Sequence, residues 1–169
     1  MLSDYRFYIA CGALLILLAL FFAARSSRRV TNSRLRRKIR RGEFLHYSQF
    51  EKNWITEGAD KPTGYKYADF SGCYVIMIFD KPVRGKRFVN YENIYIGQSV
   101  NVCQRVHNHF NGKGKGDVYA DIKYGKEVYV RIVPVKPKRL NDMETALIEA
   151  FAATESYNKT RGGAKITKK

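Results

Sequence analysis

Apolar positions fall into one long run near the start of the chain and several shorter runs after residue 70. The segments 71–80, 93–97 and 127–135 are short, apolar and rich in β-branched and aromatic residues, a pattern typical of strands. Helical spacing follows the second of these segments over 100–110 and the third over 141–154. A short helix is also predicted over 118–125. The pattern therefore predicts an α/β or α+β domain with three strands, the first two forming a hairpin.

The long apolar run predicts a membrane anchor. Phe7–Ala24 contains 18 consecutive uncharged residues, which as a helix would cover ~27 Å of a bilayer core that is ~30 Å thick. Arginines follow it at once, whereas only Asp4 and Arg6 carry charge before it. The positive-inside rule then places the rest of the chain in the cytoplasm, as a single-pass protein. A cleaved signal peptide fits less well because its first residues would be almost uncharged, and a buried core helix would need a polar face.

Charge is unevenly distributed along the chain. The net charge is +16, and residues 1–41 hold ten basic residues against one acidic residue. A polyanion or an anionic membrane is the natural partner of such a chain. The segment 25–41 is expected to rest on anionic lipid headgroups, and a nucleic-acid-binding arm is the alternative. The three cysteines, at 11, 73 and 103, show no paired spacing and are expected to be reduced.

The predicted organisation has four parts. Residues 1–24 form the anchor, 25–69 a basic juxtamembrane segment and connector, 70–160 the folded domain, and 161–169 a basic tail. Within the connector, aromatic residues at three- and four-residue spacing predict a short amphipathic helix, which we expect to pack on the domain: Phe44, Tyr47, Phe50 and Trp54.

The segment from Tyr95 to Phe110 concentrates the polar groups of the domain. A strand ends at Gly97, and Ser99 is placed to cap the helix that follows. Arg105 and His109 are four residues apart and therefore share one face of that helix. A fixed cation and an imidazole aimed at one point suit a phosphate, although each residue alone is ordinary on a helix surface.

These residues, with others in order along the chain, resemble the GIY-YIG nuclease family. The first motif of the family is present as Gly72-Cys73-Tyr74 and the second as Tyr95-Ile96-Gly97. The family arginine corresponds to Arg105, eight residues after Gly97, and His109 stands where the family often has tyrosine or histidine. Two departures are Cys73 in place of isoleucine and a gap between the motifs that is longer than usual. Further matches are Glu144, early in a long helix, and Asn158, after a tyrosine.

The resemblance, over residues 70–160, implies an α/β-sandwich-like fold with a small, mostly antiparallel sheet and a phosphodiester-cleaving site. Tyr74 would be the general base for water, and Arg105 would stabilise the phosphate. Glu144 would hold Mg²⁺ or Mn²⁺, and Asn158 would fix the geometry. Tyr95 and His109 would orient groups or relay protons. Read alone, Glu144 is also a helix-capping residue, three positions after Asn141.

Two basic loops predict contacts with the nucleic-acid backbone, which would be salt-sensitive and independent of sequence. The glycine-lysine loop does not match a nucleotide-binding P-loop. The contact residues are Lys113 and Lys115 in this loop, and Arg84, Lys86 and Arg87 between the first two strands. The expected protein is a membrane-anchored, metal-dependent endonuclease acting on nucleic acid, with double-stranded DNA favoured over RNA. The alternatives are a tethered module that binds DNA without cutting it and a structural protein of the lipid surface.

Overall fold

In the computed structural model, the fold is a four-stranded antiparallel sheet with helices on both faces. The structure describes residues 2–55, 69–85, 88–160 and 162, with side chains from residue 14 onwards except at 54 and 55. The connector from 56 to 68 and the tail beyond 162 therefore lie outside the described residues, as do Lys86 and Arg87. Helix α1 (Leu2–Arg40) comes first, followed by β1 (Leu45–His46) and α2 (Tyr47–Ile55).

The elements after residue 70 match the predicted pattern closely. They are β2 (Gly72–Phe79), β3 (Asn93–Ser99), α3 (Val102–Phe110), α4 (Gly116–Lys123), β4 (Glu127–Pro134) and α5 (Leu140–Phe151). Single 3-10 turns, Pro137–Arg139 and Ala153–Glu155, flank α5. The α+β class is confirmed.

The sheet has four strands, not the three that were predicted. The strand order is β1-β4-β2-β3, with every neighbouring pair antiparallel. The additional strand, β1, has only two residues, Leu45 and His46, which pair with Val130 and Tyr129 of β4. Two residues are too few to show the alternation that identifies a strand in a sequence, so this one escaped prediction.

β2 is the central strand, and all eight of its residues are buried. One of its faces packs under α1 and α5, with Ile39, Leu147 and Ile148 in the core. The other face packs under α2, α3 and α4, around Phe50, Val106 and Phe110. Burial on both faces explains why the sequence of β2 is continuously apolar instead of alternating.

The predicted membrane anchor is not supported. Among the described residues, no helix is long and apolar enough to cross a membrane. Helix α1 includes the run Phe7–Ala24, and the side chains before Leu14 lie outside the described residues.

The end of α1 belongs to the folded core. Ile39 is buried and packs beside α5. The guanidinium of Arg131, on β4, donates a 2.7 Å hydrogen bond to the carbonyl oxygen of Ile39. It passes through the space where a side chain on Gly42 would lie, since an added Cβ there would overlap the guanidinium. The basic segment is therefore fixed against the domain at its end.

Candidate active site at the edge of the sheet

The two motif strands pair directly, as the predicted hairpin requires. Tyr74 of β2 lies opposite Gly97 of β3, and Ile76 lies opposite Tyr95. Opposite residues in an antiparallel pair point to the same face, so Tyr74 and Tyr95 both face α3. Gly97 leaves room for the Tyr74 hydroxyl, because a Cβ added at Gly97 would come within 2.2 Å of it. Glycine is thus what allows the phenol to lie across β3.

Helix α3 is positioned by a residue far away in sequence. The carboxylate of Asp69 accepts hydrogen bonds from the backbone N–H groups of Cys103 (2.9 Å) and Gln104 (3.2 Å). These two hydrogen bonds satisfy amides at the N-terminus of the helix that have no partner within it. The helix dipole also favours a negative charge at this end. The prediction that Ser99 caps this helix is wrong, because its hydroxyl accepts from the backbone N–H of Asn101, the residue before the helix.

Three rings meet where α3 crosses the hairpin. The ring centroids are 5.3 Å apart for Tyr74 and His109, 5.1 Å for Tyr95 and His109, and 6.1 Å for Tyr74 and Tyr95. His109 is completely buried and Tyr74 nearly so. A hydrogen bond of 2.7 Å joins the Tyr74 hydroxyl oxygen to Nε2 of His109. The three residues that the sequence assigned to one site are therefore in contact.

Burial controls the ionisation of two of these groups. It raises the pKa of Tyr74 well above its usual value; neighbouring Tyr95 acts in the same direction, whereas Arg105 opposes both. Burial, assisted by the charges of Arg105 and Lys115, lowers the pKa of His109 to about 3. At neutral pH, His109 is therefore uncharged and the Tyr74 phenol retains its proton in the protein alone.

Arg105 is exposed on α3, yet its charge acts on both Tyr74 and His109. An exposed guanidinium beside a buried phenol can reach an incoming phosphate while it stabilises negative charge on that phenol. Planar, permanently charged donors of this kind bind phosphate oxygens in pairs.

Glu144 lies on the opposite face of the sheet from Tyr74. Its Oε2 accepts a hydrogen bond of 3.0 Å from Nε2 of Gln98, and the same Gln98 amide donates to Oδ1 of Asn141. Helix α5 begins at Leu140, with Arg139 as its N-cap and no side-chain cap. Asn141 is thus not the cap residue, and the reading of Glu144 as its capping-box partner is wrong.

Asn158 is bound to the free edge of β3. Its side-chain oxygen accepts from the Ile96 N–H at 2.9 Å, and its amide donates to the Ile96 carbonyl oxygen at 2.7 Å. The backbone N–H of Tyr157 and the hydroxyl of Ser156 bond to Ile94 beside it. Residues 156–158 therefore satisfy the backbone groups that an edge strand would leave open.

A cavity of ≈ 240 Å³ joins the two halves of the site around this edge. Tyr95 and Lys115 line one side, and Glu144, Asn158 and Gly162 line the other. Gly162 lies so close to the Glu144 carboxylate that an added Cβ would be 2.9 Å from Oε2. Tyr95 and Glu144 thus border a common space, although they belong to opposite faces of the sheet.

The donor set around Glu144 fits a hard cation that keeps most of its water. The described residues contain no group of three or more His, Cys, Asp or Glu that could hold a metal. The side-chain oxygen of Gln98 lies beside Glu144 as a second possible ligand. The Oε1 of Gln98 is buried and has no hydrogen-bond partner among the described residues, because its amide nitrogen faces the Glu144 acceptor. One carboxylate and one carbonyl, completed by water and phosphate oxygens, suit Mg²⁺.

The residues predicted to contact the nucleic-acid backbone differ in their surroundings. Lys113 and Arg84 are exposed, whereas the ammonium of Lys115 is paired with Asp117 at 2.6 Å. The structure also adds a basic groove of ≈ 390 Å³ between α1 and the segment after β2, lined by Ser33, Arg36, Arg37, Arg40, Arg41, Phe88 and Val89. Within the described part of the chain, the buried Nε atoms of Arg36 and Arg40 have no hydrogen-bond partner.

Several residues of the site had no signal in the sequence. Gln98 and Asp69 act through contacts with partners distant in sequence. Only Gln98 could have been suspected, since it directly follows the second motif.

Comparisons with protein-family models, curated proteins and solved structures find no match to this chain.

Proposed function

We propose that the protein is a metal-dependent endonuclease that hydrolyses phosphodiester bonds, with double-stranded DNA as its expected substrate. The observation that carries the proposal is the grouping of Tyr74, Tyr95 and His109 beside Arg105, with Glu144 on the far side of the shared cavity. The group combines a buried phenol, a buried neutral imidazole and an exposed guanidinium at one sheet edge. Phosphoryl transfer uses such groups for positioning and charge stabilisation.

In the proposed reaction, a water oxygen bonds to phosphorus as the bond from phosphorus to the leaving oxygen breaks. The attacking water gives its proton to the ionised hydroxyl of Tyr74, and the leaving oxygen takes a proton from solvent. Arg105 holds the phosphate oxygens as charge develops on them. Glu144 and Gln98 would hold a Mg²⁺ or Mn²⁺ ion, which when bound neutralises charge on the phosphate.

Because the pKa of Tyr74 is raised, the site must stabilise the ionised phenol for Tyr74 to act as a base. A neutral phenol is a poor base, so reaction requires the fraction of Tyr74 that has lost its proton. Arg105 lowers the pKa of Tyr74 against the effect of burial. Activity is therefore expected to rise with pH above neutrality.

The test uses the full chain, because Ile39 and the Arg131 contact tie α1 to the core. Supercoiled plasmid and single-stranded DNA are incubated with the protein in Mg²⁺ or in chelator, beside Arg105→Ala and Glu144→Gln. Cutting that needs the metal and falls by about 10²-fold or more in each variant supports the proposal. Wild-type protein that binds DNA but leaves it intact in Mg²⁺ and in Mn²⁺ overturns it and favours a binding module.

A further inference from the structure

The glycine-lysine loop between α3 and α4 closes over His109. The backbone N–H of Lys115 donates a 2.6 Å hydrogen bond to Nδ1 of His109, on the opposite side of the ring from Tyr74. His109 is thus held by one partner at each ring nitrogen, within a completely buried environment. The loop has a defined role in the site that is independent of the charges of its lysines.

Gly114 is what allows the loop to come so close. A Cβ added at Gly114 would lie 2.4 Å from Nδ1 of His109 and 2.9 Å from its Cε1. A Cβ added at Gly116, two residues later, meets nothing within 4 Å. The two glycines are therefore a matched pair, of which only one is required by contact with the imidazole.

The hydrogen bond to Nδ1 determines where the proton of the ring lies. A backbone amide always donates, so Nδ1 must be the acceptor and carries no hydrogen. In a neutral imidazole the single N–H is then on Nε2, the atom that faces Tyr74. His109 consequently donates to the phenolic oxygen, and it has no lone pair left on that side to accept a proton. Conversion to the imidazolium is opposed by burial and by two nearby cations.

We infer that the Lys115 amide is a positioning group that fixes His109 as its Nε2–H tautomer, so that His109 stabilises ionised Tyr74 and does not take its proton. The inference deepens the proposed function and rests on it for the catalytic consequence alone. When Tyr74 ionises, its O–H bond breaks and the electron pair stays on oxygen, opposite the His109 N–H. The proton passes to solvent water.

The first test reads the tautomer directly in the wild-type protein. In ¹⁵N-labelled full-length protein, long-range ¹H–¹⁵N correlation spectra at neutral pH distinguish a protonated ring nitrogen from an unprotonated one. We expect His109 to show a protonated Nε2 and an unprotonated Nδ1. A protonated Nδ1, or fast exchange between both forms, overturns the inference whether or not the protein cuts DNA.

The second test removes the amide N–H of Lys115 and puts a proline ring carbon in its place. Lys115 has φ −75°, which proline adopts without strain. Lys115→Pro and Lys115→Ala lose the same side chain, but only the proline variant loses the N–H. We expect the tautomer to be retained in Lys115→Ala and mixed in Lys115→Pro, with single-turnover cleavage slower in the proline variant by about tenfold or more. Equal tautomer and equal rate in the two variants contradict the inference.

Gly114→Ala and Gly116→Ala provide a second pair in case the proline variant does not fold. The alanine at 114 should displace the loop and disturb the His109 spectrum, whereas the alanine at 116 should leave both the spectrum and the rate unchanged. An undisturbed spectrum in Gly114→Ala contradicts the inference. Failure of wild-type protein to cut DNA, with the Nε2–H form observed, would reject the nuclease proposal and leave the tautomer assignment standing.

Discussion

At the scale of single residues, the site depends on groups whose surroundings prevent their usual behaviour. Tyr74 is a phenol kept neutral by burial, and His109 is an imidazole kept neutral by burial and adjacent cations. Neither property follows from residue type. The sequence places both on the correct elements, but their burial and their mutual contact depend on how α3 packs against the hairpin.

Acid should destabilise the protein through His109. Unfolded histidine takes up a proton near its usual pKa of 6.5, whereas folded His109 does so only near 3. Between these values the unfolded state binds more protons, so stability is complete above pH 6.5 and falls as the pH falls toward 3. Thermal unfolding from pH 7 to pH 4 should show a steeper fall in Tm for wild type than for His109→Gln. Equal slopes would contradict the buried neutral state, and His107→Gln is the control on the same helix.

The close approach of Tyr74 to β3 predicts a second effect at residue scale. Gly97→Ala puts a methyl group 2.2 Å from the position of the hydroxyl, so the phenol must move and lose its bond to His109. We expect DNA cleavage to fall by about 10²-fold, while Gly116→Ala, in open space, retains the wild-type rate. A fully active Gly97→Ala protein would show that the phenol position is not required.

At the scale of elements, the periodic spacing of apolar residues was enough to predict most strands and helices. The apolar runs of β2, β3 and β4 and the helical spacing of α3 and α5 were sufficient to find these elements to within a few residues. The two-residue strand β1 was missed because it has no period. The predicted cap of α3 was wrong because Asp69, whose carboxylate binds the first amides of the helix, lies 34 residues before Cys103. Helix α4 was predicted to begin at 118, yet it begins at Gly116, after Lys115.

The contact of Asn158 with the edge of β3 predicts an effect on stability. Asn158→Ala removes both hydrogen bonds to Ile96 and leaves buried backbone groups without partners, at a cost of ~1–3 kcal/mol of unfolding free energy. Denaturant unfolding should show this loss, and hydrogen exchange should accelerate at the Ile96 amide. Lys159→Ala, at the exposed neighbouring position, is the matched control. Unchanged protection at Ile96 would contradict the edge contact.

At the scale of the whole molecule, sequence reasoning located the halves of the site without showing how they meet. Tyr95, beside Tyr74, and Glu144 lie on opposite faces of the sheet, and the edge position of β3 lets one cavity reach both. Strand order is a property of the assembled chain, which local patterns do not encode. The same applies to the basic groove, where arginines of α1 meet residues that follow β2.

The basic groove predicts how DNA affinity depends on salt. If Arg36 and Arg37 contact backbone phosphates, replacing both with alanine should reduce the slope of log affinity against log salt by about two. Lys138→Ala, which removes one exposed charge elsewhere, should change the slope little. Fluorescence anisotropy with a labelled duplex, without metal, measures binding apart from cutting. An unchanged slope in the double variant would exclude the groove from the DNA contact surface.

The central claim, that the Tyr74 hydroxyl is the base in phosphodiester hydrolysis, is tested most directly by single-turnover cleavage of a labelled duplex across pH. Wild-type protein is compared with Tyr74→Phe, and Tyr124→Phe serves as control because Tyr124 is 84% exposed. We expect the wild-type rate to rise with pH above neutrality, Tyr124→Phe to match it, and Tyr74→Phe to be slower by about 10²- to 10⁴-fold. A Tyr74→Phe protein that cuts at the wild-type rate with the same pH profile would contradict the account.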